Sequence, residues 1–96
     1  MLIPWLKLLV EFLGTFFFLY VILATGNAWL IGLALAIAIY LGGSISGGVF
    51  NPAVAVMLWK GNKLPGSDVI PYIFAEVVGG LCALWLFRRT GKLVNL

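Results

Sequence analysis

Asn51-Pro52-Ala53 and two isolated acids, Glu11 and Glu76, are the groups in this chain whose type and setting could do chemistry. Asn caps helices well, because its side-chain oxygen takes an orphan N–H of the first turn. Pro suits the first helical position, where its missing N–H would have had no intrahelical partner. A helix is therefore expected to start at Pro52. Soluble proteins place such starts at their surfaces, but this one lies between long apolar runs. A helix end inside a membrane carries partial positive charge and free N–H donors. Such donors are tolerated there only when buried in protein or lining a cavity. The motif thus points to a pore. Glu11 and Glu76 also fall within apolar segments, where an acid is a functional candidate by default.

The elements that hold these residues must be membrane helices. Of the 96 residues, 64% are hydrophobic and 9% charged, which excludes an ordinary soluble domain. The length allows one unit, residues 1–96. The net charge of +3 sits at segment ends, where it serves snorkelling and topology. There is no basic stripe with interleaved aromatics, so nucleic acid is not an expected partner. With no His, no metal-ligand cluster and no nucleophile–base pair, neither an enzyme nor a metal or cofactor is expected. Cys82 is the single cysteine and reads as a packing residue. The first apolar stretch is too long and too aromatic for a signal peptide and contains Glu11, so it reads as a retained span.

The expected fold class is an all-α membrane protein with three transmembrane helices and one re-entrant half-helix. The spans cover about residues 5–24, 28–43 and 68–87, with the loop and half-helix at 44–60. Gly42 to Gly48 is expected to be extended, and Ser67 or Asp68 to cap the last span. Gly79-Gly80 offers a surface for close helix contact. Trp29, Trp59 and Trp85 read as interfacial anchors. Three spans place the termini on opposite sides.

In this setting the chain resembles the N-terminal half of an aquaporin, a member of the major intrinsic protein family. Glu11-Phe12-Leu13-Gly14-Thr15-Phe16 resembles the family's first-helix motif. Ser46-Gly47-Gly48-Val49-Phe50-Asn51-Pro52-Ala53-Val54 resembles its first pore loop, and Pro71 to Gly80 its third helix. The family carries two inverted repeats whose NPA motifs meet in mid-membrane. This sequence holds one NPA, followed by Val54 where the family's second repeat has Arg.

The resemblance implies a passive channel for water, with glycerol or ammonia as further neutral solutes. It implies that Asn51, Pro52 and Ala53 form the mid-membrane motif, and that Glu11 and Glu76 brace the loop by accepting its N–H groups. The carbonyls of Ser46, Gly47, Gly48 and Val49 would line the path. Carried over by spacing, the selectivity constriction falls on Ile31 from one chain and Ile39, Gly48 and Val54 from its partner. That ring has no cation and no side-chain donor.

A lone half would leave its re-entrant backbone exposed to lipid, so an antiparallel homodimer is expected to complete the fold. Charge permits insertion both ways. Lys7, Lys60 and Lys63 lie at one face and Arg88, Arg89 and Lys92 at the other, without a positive-inside bias. The family's grouping of four pores would make eight chains. The expected location is the cell's inner membrane, in both orientations. Competing readings are a small multidrug transporter or fluoride channel of dual topology, and a non-conducting half that needs a different partner.

Overall fold

The computed structural model describes residues 4–91. It contains α1 (Pro4–Thr25), α2 (Ala28–Ser46), α3 (Pro52–Lys60) and α4 (Gly66–Thr90). The chain is an all-α membrane protein. α1, α2 and α4 are each long and apolar enough to cross a bilayer. The 9 residues of α3 span only about 13 Å, less than half the hydrocarbon thickness.

Two contacts fix the directions. Lys7 Nζ lies 3.7 Å from Asp68 Oδ2 near the starts of α1 and α4. Tyr20 shares a 2.7 Å hydrogen bond with Thr90 near their far ends. α1 and α4 therefore run parallel, and α2 returns between them in chain order. α1 packs on both α2 and α4, while α3 is seated on α4. Val49, Ala55, Leu64, Val69 and Tyr72 form the buried apolar cluster beneath α3.

Small residues bring the spans together. Gly79 is buried, and a Cβ there would come within 2.8 Å of the Phe12 carbonyl oxygen on α1. Ala34, Ala38, Gly42 and Ser46 recur every fourth residue and form the buried stripe of α2.

This stripe explains where the structure departs from the sequence expectation. Gly42 to Ser46 is helical, not extended, and the ladder ends only where Gly47, at φ 91°, donates back to the Gly43 carbonyl at 2.9 Å. A left-handed glycine is a common helix stop. The small side chains let α2 approach its neighbour; they do not break it.

The start of α4 also differs. Pro65 holds the cap position, with no side-chain cap bond. Asp68 lies within the first turn, where its charge suits the helix dipole and meets Lys7. Lys92, counted among the basic residues of the far face, lies outside the described residues.

Candidate functional site

The non-helical link between α2 and α3 is short and unusual in its backbone. Gly47 and Gly48 have φ of 91° and 65°, a region that suits glycine, and Phe50 has φ 51°. A left-handed residue that is not glycine costs about 1–2 kcal/mol. Two features hold Phe50 there. Its N–H donates to Glu11 Oε1 at 2.8 Å. Its ring fills a slot above Gly14, where a Cβ would overlap the ring carbons, and reaches the edge of Gly42.

Glu11 is fully buried and gathers the loop around its carboxylate. Oε2 accepts the Ser46 hydroxyl at 2.6 Å and the Val49 N–H at 3.1 Å. Ser46 Oγ in turn accepts the Gly48 N–H at 3.2 Å. The Tyr72 hydroxyl donates to the Ser46 carbonyl at 2.7 Å. Hydrogen bonds to a charged group contribute roughly 1.5–3 kcal/mol each. Three of them on one acid thus amount to a large share of the loop's order.

Asn51 follows in extended backbone and caps α3, its Oδ1 accepting the Ala53 N–H at 2.8 Å. With Oδ1 committed to the helix, Nδ2 is the amide end not used by the cap. Asn51, Pro52 and Ala53 are all exposed on this chain. They lie at mid-span depth, because Asn51 shares a groove of about 520 Å³ with Thr15 and Glu76, near the middles of α1 and α4. Phe50, Pro52 and Leu19 complete that part of its wall.

Glu76 differs from its counterpart. It is buried, and neither carboxylate oxygen has a hydrogen-bond partner among the described residues. It lines the same groove as Asn51 and Thr15. Thr15 Oγ1 is likewise buried without a partner.

The residues expected to line a path divide. Ser46 and Val49 are buried, drawn inward by Glu11 and Tyr72. Gly47 is exposed and Gly48 half-buried. Of the expected constriction, Gly48 and Ile39 are neighbours, since a Gly48 Cβ would lie 3.3 Å from Ile39 Cγ2. Val54 is half-buried and packs against the cluster under α3. Ile31 lies two turns of α2 before Ile39, closer to the Asn27 cap.

Sequence reasoning missed the roles of Tyr72 and Phe50. The signal for Phe50 was the pair of glycines, Gly14 and Gly42, that clear its slot. Tyr72 carried no local signal, because its partner is 26 residues away.

Likeness to known proteins agrees with this arrangement. The family model described as Major intrinsic protein matches residues 3–94. "Glycerol uptake facilitator protein-like 6" of Lactiplantibacillus plantarum is 41% identical over 86 residues, which is 80% of this chain and 40% of that protein. "Aquaporin Z" of Photorhabdus laumondii is 39% identical over 92 residues, again 80% of this chain and 40% of the relative. "Aquaporin AqpM" of Methanothermobacter thermautotrophicus is 47% identical over 58 residues, 60% of this chain and 24% of its own length. The chain thus spans less than half the length of these relatives.

Proposed function

The chain belongs to the major intrinsic protein family, and from that premise we propose that two copies pair antiparallel to enclose a passive pore for water and small neutral solutes. The observation that carries this reading is the exposure of Asn51-Pro52-Ala53 at mid-span depth. A helix N-terminus there needs cover other than lipid, and a second inverted copy supplies it.

In the pair, two α3 helices meet end to end. Each end contributes roughly half a positive charge, which opposes cations and protons. The Asn51 amides then hydrogen-bond passing water, and the carbonyls of Gly47 and Gly48 offer acceptors on the approach. Ile31 of one copy would join Ile39, Gly48 and Val54 of the other at each mouth. Without a cation or side-chain donor in that ring, glycerol and ammonia pass as well as water. The similarity to a protein named for glycerol uptake supports this part of the reading.

The test is stopped-flow osmotic shrinkage of proteoliposomes that contain only this chain, against empty vesicles and Asn51→Asp. Fast shrinkage with a low activation energy, lost or altered in the variant, is the expected result. Folded, inserted protein that shrinks no faster than empty vesicles overturns the two-copy pore and leaves a half that needs a different partner. Water flux with glycerol excluded overturns the apolar constriction alone.

A further inference from the structure

We propose that a groove between α1 and α2 holds an acyl chain of a membrane lipid, and that this chain backs Phe50 and so steadies the start of α3. The inference concerns one chain in a bilayer and stands whether or not copies enclose a pore. The groove has a volume of about 390 Å³. That is within the usual range of ligand pockets, roughly 300–1,000 Å³. Leu13 and Phe17 of α1 form one wall, and Ile37 and Leu41 of α2 the other; all four are exposed. Gly14 and Gly42 leave the floor open to the Phe50 ring.

Depth, direction and chemistry identify the occupant. Gly14 lies near the midpoint of α1 and Ile37 at the midpoint of α2, so the groove lies where the bilayer is hydrocarbon. Ile37 is two residues from Ile39, about 200° around the helix, and Ile39 is the residue beside Gly48. Leu13 is turned in the same way from Glu11 and Thr15, the buried residues of α1. The groove therefore opens away from the loop. At that depth and on that side the surrounding medium is lipid chains. No residue of the groove has a polar side chain, which suits a flexible apolar chain and no polar solute.

Phe50 gives the groove its consequence. It is 2% exposed, has φ 51°, and borders both this groove and the one that contains Asn51. A residue other than glycine keeps such a backbone only where its surroundings over-determine it. Glu11 holds the Phe50 N–H. The ring needs contact on its groove side as well, because a void there forfeits dispersion attraction. An acyl chain in the groove supplies that contact, one residue before Asn51.

Photolabelling tests occupancy. The chain is reconstituted in phosphatidylcholine vesicles that include a phosphatidylcholine with a diazirine midway along one acyl chain. Leu13 and Leu33 are similarly exposed, at 52% and 54%, but Leu33 lies outside the groove. Label is expected on Leu13, Ile37 and Leu41 severalfold above Leu33. Equal labelling means ordinary lipid contact and overturns the proposal. Labelling below that of Leu33 means that protein, such as a second copy, covers the groove, and it overturns the proposal too.

Amide hydrogen exchange tests the link to the loop. Dioleoyl chains are slender, whereas diphytanoyl chains carry methyl branches that hinder entry. Exchange at Val49 and Phe50 is expected to be severalfold faster in diphytanoyl-phosphatidylcholine vesicles than in dioleoyl ones. The difference is expected to vanish in Ile37→Trp, whose indole takes the place of the chain. No difference in wild type overturns the link. A difference that persists in Ile37→Trp belongs to the bilayer as a whole and overturns it as well. If Ile37→Trp fails to insert, Leu13→Trp fills the groove from the other wall and is read in the same way.

Discussion

The two sides of the re-entrant loop pose the same problem and solve it differently. On one side Glu11 is buried among donors and collects three of them within 3.1 Å. On the other side Glu76 is buried to nearly the same degree and has none. Both are glutamates in the middle of apolar helices, so residue type and burial do not distinguish them. The difference lies in which backbone N–H groups the loop aims at each. Glu11 organises Ser46 to Phe50, while Glu76 stands behind Asn51 in the groove. A buried acid in a span can thus gather a loop or stand without a donor, according to where the loop's N–H groups point.

The comparison is broken most severely by removing the anchor. Glu11→Leu strands three buried donors, each costing about 1–3 kcal/mol. The expected outcome is loss of folded protein, read by thermal melting in detergent with tryptophan fluorescence. Near-wild-type melting would mean that the loop is held by packing alone. Gly14→Val comes next. It fills the Phe50 slot, and overpacking of this kind costs about 1–3 kcal/mol or more. A lower melting temperature and slower water flux are expected together, since Phe50 positions the start of α3.

Tyr72→Phe sharpens the comparison on the Glu11 side. It deletes the bond to the Ser46 carbonyl, at an expected cost of about 1 kcal/mol in the same melt. The smallest effect is expected from Asp68→Asn. Its partner Lys7 is part-exposed, and such pairs contribute about 0–1 kcal/mol and less in high salt. A melting shift larger than that of Tyr72→Phe would place the anchoring of α1 on α4 at the helix starts, not at the loop.

The spans, the half-helix and the polar turns were legible because each is written locally. Long apolar runs mark α1, α2 and α4, and Asn51-Pro52 marks the start of α3. The end of α2 was not legible. Gly42, Gly43 and Ser44 look like a break by propensity, yet the helix continues to Ser46 because its small residues face inward at every fourth position. Packing overrode propensity there. The inward pull on Ser46 and Val49 was hidden for a similar reason. It depends on Glu11 and Tyr72, which lie 35 and 26 residues from Ser46.

By itself the sequence determined that the chain enters a membrane, that a short helix begins within it, and that two acids lie at depth. Those properties follow from composition and from side chains acting on their nearest neighbours. The tertiary structure decided which acid receives the loop's donors, which loop residues turn inward, and where the NPA motif lies exposed. Those outcomes depend on distance and direction between groups far apart in the chain, and a hydrogen bond that must close within about 3 Å is settled only when the helices pack.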